Sequence, residues 1–283
     1  MKQTFVLGVP ACYDGERYSI DAAKATKQWA ELKRCYEELG VIVKVVQKCS
    51  THFYDSVYIT DDALVVDDFA IMARFNKPAR RGEESFVENY LKNNLKLRIY
   101  HLPDEPGLHY EGGGDTRWSH NGTHLWFAYG AGRSTLRGDQ AVVEVLRKIL
   151  GNTFTPHFLK IRDKKTFHLD LAFLPLMNGR ALYYPTLDPE AVKEIMYVFG
   201  RENVVRVPVK YFFACNAVCI DPDTVVAPDL PFKDYRAWFR AAVQMKTIKF
   251  VDLSQFHLGD GSVQCMTMRL MKFPSYQRCL VDE

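Results

Sequence analysis

Residues 168–209, HLDLAFLPLMNGRALYYPTLDPEAVKEIMYVFGRENVVRVPV, decide the fold that the sequence predicts. Two strand-like runs flank the turn signal Asn178-Gly179, which is typical of a hairpin. A helix follows, with Pro189 near its start and Gly200 at its end, and a third strand-like run comes after it. The predicted elements are strands 168–176 and 181–184, helix 189–200 and strand 204–209.

The same order of elements recurs along the chain. Predicted helices begin near residues 21, 83, 139, 189 and 233, with strand-like runs before and after each of them. A repeat of roughly 45–60 residues predicts units arranged radially or in an array. The helices argue against an all-β propeller, and the hairpins fit poorly with a doubly wound parallel sheet. The other predicted strands are 4–9, 41–46, 56–60, 63–66, 70–75, 97–102, 124–129, 157–161, 214–220, 224–227, 248–253 and 264–271.

The composition is that of an ordinary globular protein. The chain has 283 residues, of which 47% are hydrophobic and 25% charged, and its net charge is +3. No block of Lys and Arg stands out beyond Lys77 to Arg81, so nucleic acid is not an expected partner. No apolar run approaches the length that spans a membrane, and Met1 to Pro10 is too short for a signal peptide. The seven cysteines are scattered without C-x-x-C spacing, which predicts free thiols in the cytoplasm.

The segment Tyr110-Glu-Gly-Gly-Gly-Asp-Thr-Arg-Trp118 is unusual for a chain of this composition. Three consecutive glycines cost folding entropy and pack no side chain. They are useful where the backbone bends sharply or approaches a ligand closely. The acids at their edges, Glu111 and Asp115, suggest a cationic ligand or a proton-transfer site. Paired acids, metal ligands and turn residues all remain open for these two side chains.

A radial assembly would bring four separate stretches together near its axis: 55–62, 111–115, 168–170 and 259–265. Cys265 follows a polar glycine loop and could act as a nucleophile, although a buried inert thiol is the commoner state of a cysteine. His168 lies beside Asp170 and could be a general acid or base, or a structural histidine. No nucleotide-binding glycine loop, G-x-S-x-G elbow or H-E-x-x-H motif occurs, so the residues give little support for a nucleotide cofactor or for magnesium or zinc binding.

Three fragments taken together resemble a known superfamily. They are Glu-Gly-Gly-Gly-Asp at 111–115, His-Leu-Asp at 168–170 and Gly-Ser-Val-Gln-Cys-Met-Thr at 261–267. The chain resembles the guanidino-group modifying enzymes of the pentein, or amidinotransferase, superfamily over nearly its whole length. It is most similar to the dimethylarginine dimethylaminohydrolases and the arginine dihydrolases. Further similar segments are 18–21, 55–61, 73–83 and 130–134.

The resemblance implies an α+β fold, a propeller of five ββαβ units in a single domain over residues 1–283. It implies covalent catalysis without a cofactor or metal. Cys265 would attack the guanidinium carbon, His168 would protonate the leaving amine and then activate water, and Glu111 would orient His168. The implied partner is a small guanidino amino acid, and a homodimer would be a compatible assembly. The implied substrate-binding residues are Asp61 for the guanidinium, Asp55, Arg80 and Arg133 for the α-amino and carboxylate groups, with Asp21 and Asp115 completing the set.

The sequence departs from the pattern of these enzymes in two places. Glu111 is four residues before Asp115, one more than the usual spacing, so Gly112 stands where the family acid often lies. Thr60 stands where some dimethylarginine hydrolases carry Glu, and Asp61 and Asp21 stand where arginine dihydrolases carry Asn. The extra carboxylate at Asp61 favours one hydrolytic step that gives citrulline. An arginine dihydrolase giving ornithine, an amidinotransferase and a non-catalytic binding protein are the alternatives.

Overall fold

Five three-stranded sheets make up the molecule. The computed structural model describes residues 3–13, 19–47, 53–130 and 136–272, and all statements below concern those ranges. In the second sheet, β3 (Ala63–Val66) pairs antiparallel with β4 (Phe69–Met72), which pairs parallel with β5 (Arg98–Tyr100). The other four sheets have the same pairing of one antiparallel and one parallel ladder. The predicted α+β propeller of five ββαβ units is confirmed.

A long helix crosses from the middle strand of each sheet to its third strand. The helices are α1 (Ala22–Glu38), α2 (Glu84–Asn93), α3 (Leu136–Leu150), α4 (Pro189–Phe199) and α5 (Tyr235–Val243). The remaining strands are β1 (Thr4–Gly8), β2 (Ile42–Val46), β6 (Thr116–Ser119), β7 (His124–Gly130), β8 (Thr155–Ile161), β9 (Phe173–Pro175), β10 (Ala181–Tyr183), β11 (Val204–Arg206), β12 (Val218–Asp221), β13 (Thr224–Pro228), β14 (Thr247–Val251) and β15 (Met268–Leu270). No helix of the described ranges has the length and apolar character needed to cross a membrane.

The helices lie close to where their sequence signals predict. In α4, Pro189 occupies the first turn, the side chain of Asp188 accepts a hydrogen bond from Glu190 N, and Gly200 ends the helix at φ +80°. Proline, a capping aspartate and a glycine with positive φ are the local signals that fix the two ends of a helix. The buried face of α1 includes Ala25 and Leu32, as its apolar spacing predicts.

The two ends of the chain close the ring. Strand β1 is the central strand of its sheet and pairs parallel with β2 and antiparallel with β15, with Thr4 opposite Leu270. The first unit is therefore completed by β15, the last strand of the described residues. An apolar cluster that includes Phe5 and Leu7 from the first unit also contains Val218 and Val226 from the fifth. The core is continuous across the junction.

Several predicted strands begin instead as single helical turns. The runs predicted as strands at 56–60, 168–176 and 214–220 contain helical turns at Tyr54–Val57 and Ile59–Asp62, at Leu169–Ala172 and at Phe212–Cys215. In the run 264–271, only Met268–Leu270 is a strand. Most of these residues are buried, so apolar and polar side chains do not alternate with the period of a strand or of a helix. The prediction of a strand was wrong for the whole of 56–60 and wrong at the N-terminal ends of the other three runs.

These helical turns meet at the centre of the propeller. Gly112–Asp115, the turn before β6, contacts both Ile59–Asp62 and Leu169–Ala172, and the latter contacts Phe212–Cys215. The glycines permit this crowding. A Cβ at Gly114 would overlap Asp61 Oδ1 and lie 3.1 Å from His168 Cγ, and one at Gly113 would lie 2.7 Å from Thr60 Oγ1. The glycines therefore let this turn lie directly against Thr60, Asp61 and His168.

Candidate active site

A cavity of about 500 Å³ lies where the central turns converge. Six residues that the sequence predicts for the site line it: Asp55, Asp61, Arg80, Glu111, His168 and Cys265. They come from units that are distant in sequence, and the helical turns before the inner strands carry several of them. The other lining residues are Tyr58, Asn76, Lys77, Pro78, Lys164, Phe167, Gly259, Asp260 and Gly261.

His168 is held by one carboxylate and faces a second. Its Nε2 lies 2.7 Å from Glu111 Oε2, and its Nδ1 lies 3.7 Å from Asp61 Oδ1. Glu111 and His168 are only 3% and 2% exposed, so this hydrogen bond is shielded from water. A carboxylate in this position fixes the orientation of the imidazole and stabilises its cationic form.

The longer spacing between Glu111 and Asp115 has a structural explanation. The side chain of Asp115 turns back on the helical turn, where its Oδ2 accepts a hydrogen bond of 3.0 Å from the backbone N–H of Glu111. Glu111 Oε1 accepts a further hydrogen bond of 3.3 Å from Asn76 N. The carboxylate paired with His168 is therefore that of Glu111, and Asp115 supports the backbone from which it projects.

Cys265 is buried among polar groups. Its Sγ donates a hydrogen bond of 3.1 Å to Asp170 Oδ2 and accepts one of 3.1 Å from Asn216 Nδ2. Asn216 Oδ1 in turn accepts from Cys265 N at 3.2 Å. Burial raises the pKa of the Cys265 thiol well above its ordinary value, and the charges of Asp170 and Asp61 raise it further. In this arrangement Cys265 is a thiol that donates a proton, and a cation beside it would favour the thiolate.

Asp61 presents a carboxylate oxygen to the cavity. Its Oδ2 lies 2.6 Å from Arg80 Nη1, whereas Oδ1 accepts no hydrogen bond from any residue in the described ranges. Burial raises the pKa of Asp61 to about 6, against the opposing charges of His168 and Arg80. At neutral pH this position therefore holds a buried carboxylate with an unused acceptor, which suits a donor with positive charge.

Two ion pairs lie in and behind the cavity wall. Arg80 contacts Glu83 through two hydrogen bonds, from Nη2 to Oε1 at 2.7 Å and from Nε to Oε2 at 3.1 Å. Lys77 Nζ lies 2.5 Å from Asp55 Oδ2. Arg80 already contacts two carboxylates, so its first effect is to hold Asp61 in place and balance its charge.

Two of the predicted substrate-binding residues are placed differently, and a third lies outside the described residues. Asp21 is exposed and caps α1, where its Oδ1 accepts a hydrogen bond of 2.9 Å from Lys24 N. Neither Asp21 nor Asp115 lines the cavity. Both have local backbone roles instead, because a short carboxylate side chain next to a helical turn readily bonds to its N–H groups. Arg133 lies outside the described residues, so its contact with a substrate carboxylate stays a prediction.

The sequence analysis did not predict the contacts of four polar residues that act on the site. Asp170 and Asn216 contact Cys265, Glu83 contacts Arg80, and Lys77 contacts Asp55. The His-x-Asp spacing of His168 and Asp170 was a usable signal for the first of these. Asn216 follows an apolar run in a distant unit, and nothing in its local sequence points to a thiol.

One cluster within the described ranges has the geometry to hold a metal ion. The ligand atoms of Asp61, Glu111 and His168 all lie within 4.8 Å of one another. The same atoms have other partners, since His168 is bonded to Glu111 and Asp61 to Arg80. A metal ion would have to break the hydrogen bond between His168 and Glu111, so the cluster fits acid–base chemistry better than metal binding.

Comparison with known proteins gives relatives over nearly the whole chain. No family model matches the sequence. An uncharacterised protein of Caenorhabditis elegans is 33% identical over 257 residues, which are 89% of this chain and 85% of that protein. The N(G),N(G)-dimethylarginine dimethylaminohydrolase of Mycobacterium tuberculosis is 28% identical, over 89% of this chain and 77% of its own length.

A bifunctional enzyme shows the same likeness in sequence and structure. The arginine dihydrolase/ornithine cyclodeaminase ArgZ of Synechocystis sp. is 27% identical over 91% of this chain and 35% of its own length. The chain thus spans about a third of that relative. The crystal structure of the N-terminal domain of ArgZ, covalently bound to a reaction intermediate, superimposes with a TM-score of 0.84 and 25% identity. The superposition covers 96% of this chain and 98% of that domain.

Proposed function

We propose that this chain, which belongs to the pentein, or amidinotransferase, superfamily, hydrolyses the guanidino group of arginine or of an N-methylated arginine. The observation that carries the proposal is the cavity in which Cys265, the pair of His168 and Glu111, and the carboxylate of Asp61 come together. A guanidinium is a planar cation, and carboxylates are its natural partners. A thiol, a histidine and an acid are the groups that covalent hydrolysis at its carbon requires.

The resting site prepares the thiol for a cationic substrate. Asp61 Oδ1 and Asp170 Oδ1 accept no hydrogen bond from the described residues, and both carboxylates lie close enough to Cys265 to raise the pKa of its thiol. A guanidinium bound to Asp61 Oδ1 would bring a positive charge close to Sγ and lower that pKa. The thiol would therefore become nucleophilic when substrate is present.

The reaction then proceeds in two stages. The Cys265 proton passes to His168, and Sγ bonds to the guanidinium carbon. His168, stabilised as a cation by Glu111, returns that proton to the leaving amine as the C–N bond breaks, which leaves a thiouronium on Sγ. A water molecule gives a proton to His168 and its oxygen to the carbon. The C–S bond then breaks, His168 returns its proton to Sγ and restores the thiol, and the remaining hydroxyl proton passes to the released amine. The products are citrulline and an amine, or ammonia from unmodified arginine.

The amino-acid end of the substrate would be held by the opposite wall. Asp55 suits the α-amino group, and Lys77, bonded to Asp55, suits the α-carboxylate. Lys164 also lines the cavity and is exposed, so it could contact the carboxylate from the entrance. Arg80 would act mainly by holding Asp61, and Arg133 remains part of the proposed set of carboxylate ligands.

The decisive test is the Cys265→Ser variant with arginine, dimethylarginine and agmatine as substrates. Loss of the nucleophile should reduce turnover by at least about 10³-fold while arginine still binds, as is usual when one member of a catalytic unit is removed. Cys35→Ser is the matched control, because Cys35 is a free, half-buried thiol on α1 outside the cavity. Unchanged turnover in Cys265→Ser would reject the mechanism.

An arginine dihydrolase is the second candidate, since ArgZ bears this name and superimposes over almost the whole chain. The carbon product separates the candidates: citrulline supports a single hydrolysis and ornithine supports continued hydrolysis. Adding glycine as an acceptor tests for amidino transfer. A non-catalytic binding protein would bind arginine but form no adduct with a haloacetamidine.

The remaining parts of the proposal concern the whole chain. We propose a single catalytic domain over residues 1–283 that works in the cytoplasm as a monomer or homodimer. Cys35, Cys215, Cys219 and Cys265 are free thiols, as a reducing compartment favours. Light scattering of the purified protein gives the oligomeric state, and thiol titration before and after reduction tests the state of the cysteines.

A further inference from the structure

A second, smaller cavity backs onto the catalytic one. Its volume is about 60 Å³, more than the roughly 10–15 Å³ that one water-sized species needs. The two cavities share no lining residue, but Thr60 and Gln264 line the second one, while their neighbours Asp61 and Cys265 line the first. The second cavity therefore lies directly behind the layer that carries the catalytic groups.

Arg117 is buried in the wall of this cavity with unused donors. It lies on β6, is 9% exposed, and donates a hydrogen bond of 3.3 Å from Nη1 to Gly113 O. Its Nη2 is 3.9 Å from Asp170 Oδ2, which is too long for a hydrogen bond. Neither Nε nor Nη2 of Arg117 donates to any residue in the described ranges. A buried guanidinium with two such donors requires an acceptor.

A second guanidinium faces the same cavity. Arg269 on β15 donates from Nη2 to Gln3 Oε1 at 3.2 Å, whereas its buried Nε has no acceptor among the described residues. None of the described residues that line the cavity is an aspartate or a glutamate. Burial lowers the pKa of Arg117, the charge of Asp170 raises it, and the like charge of Arg269 lowers it. Asp170 offsets part of the positive charge, but it does not line the cavity.

We propose that this cavity binds a small monovalent anion such as chloride, held by Nε and Nη2 of Arg117 and by Nε of Arg269. An anion would satisfy the three donors and offset the repulsion between the two guanidinium groups. The volume admits a monatomic ion together with a few water molecules. The hydroxyls of Thr60 and Thr116 and the amide of Gln264, which also line the cavity, are neutral polar groups that tolerate such an ion.

Bromide tests the proposal in the intact protein. Thermal unfolding is followed in rising sodium bromide, with ionic strength held constant by sodium gluconate. At ten times the dissociation constant, binding should raise the Tm by roughly 3 °C, and above that concentration the Tm should go on rising with the logarithm of the bromide concentration. The rise should be lost in Arg117→Gln and kept in Arg206→Gln, an exposed arginine on β11. An equal rise in Arg117→Gln would overturn the proposal.

Anomalous scattering locates the ion independently of any variant. Crystals of the wild-type protein grown in bromide should show an anomalous peak between Arg117 and Arg269. A peak elsewhere only, or none, would overturn the proposal. This experiment decides the matter even where Arg117→Gln does not fold.

Discussion

At the residue scale, the carboxylates near Cys265 have two effects: they keep its thiol protonated in the free enzyme, and they attract a cationic substrate. The carboxylates that raise the pKa of its thiol are the same groups that would attract a guanidinium. These carboxylates do not attract a neutral reagent. They do attract a cationic reagent, which lowers the pKa of the thiol when it binds. The reactivity of Cys265 should therefore depend on the charge of the reagent.

We expect 2-chloroacetamidine, which is cationic, to alkylate Cys265 at least about tenfold faster than iodoacetamide at pH 7, relative to the rates of both with a small thiol. Asp170→Asn should reduce this preference, because it removes the carboxylate 3.1 Å from Sγ. Mass spectrometry of the labelled protein gives the rates, with Cys265→Ser as the control for the site. Equal relative rates for the two reagents would contradict the electrostatic account.

The raised pKa of Asp61 predicts that substrate binding depends on pH. Its pKa of about 6 means that the free site holds a protonated, neutral Asp61 below that pH. A guanidinium prefers the ionised form, so the affinity of Cys265→Ser for L-arginine should fall by about tenfold per pH unit below pH 6. Calorimetric titration from pH 5 to pH 8 measures this directly. In the double variant Cys265→Ser/Asp61→Asn, the affinity for L-arginine should be weaker, and its fall below pH 6 should be absent.

The carboxyl group of Asp61 gives protein stability a pH dependence opposite to that of substrate affinity. The folded-state pKa of Asp61 lies above the ordinary aspartate value of 3.8, so the folded protein binds the proton more tightly than the unfolded chain. The stability that protonated Asp61 contributes is present at low pH and is lost as pH rises from about 4 to 6. Denaturant unfolding should show wild type losing stability relative to Asp61→Asn across this range. If the free energies of unfolding of the two proteins changed in parallel from pH 4 to pH 6, the pKa of Asp61 would lie outside this range.

At the element scale, the helical turn Gly112–Asp115 decides whether the site can assemble. Gly114 lies against Asp61 and His168 with no room for a Cβ. We expect Gly114→Ala to reduce kcat by about 10²-fold or more, since displacements of about 1 Å at a catalytic group have effects of this size. Steady-state kinetics and thermal unfolding of the purified variant measure the two consequences.

Gly107→Ala is the control for this substitution. Gly107 has φ +77°, and no described atom lies within 4 Å of the position that a Cβ would occupy, so alanine there strains the backbone without reaching the site. It should lose stability, by about 1 kcal/mol, and retain kcat. Normal kcat in a folded Gly114→Ala protein would show that the turn adapts and that the close approach is not needed.

Local signals explain which elements the sequence predicts correctly and which it does not. Helix α4 is predictable because Pro189 and Gly200 act on their own backbone. The turn at Leu169–Ala172 resembles a strand in sequence because its residues are buried on all sides, so no face is left to carry a polar pattern. The contact of Asn216 with Cys265 joins residues 49 apart in sequence, and no periodicity encodes such a distance.

At the scale of the whole molecule, the repeats alone leave open a linear array or a closed ring. The two differ in their ends. A linear array leaves its terminal units with one neighbour each and can unfold unit by unit. Here β1 pairs with both β15 and β2, so the chain ends share one sheet and every unit has two neighbours. Closure should therefore make unfolding a single cooperative event.

Leu7→Ala tests this expectation at the junction. Leu7 is fully buried on β1, in the cluster that joins the first and fifth units, so the substitution should lower the free energy of unfolding by about 2–5 kcal/mol. Ile42→Ala on β2 in the same sheet is the control, since Ile42 is 43% exposed and its loss should cost no more than about 0.5 kcal/mol. Tryptophan fluorescence reports on Trp29, Trp126 and Trp238 in three units, and circular dichroism reports on the whole chain. If the ring is closed, the unfolding transitions seen by fluorescence and by circular dichroism should coincide, and Leu7→Ala should shift both together. If the first unit unfolds before the others, the pairing of β1 with β15 contributes little to the stability of the rest of the ring.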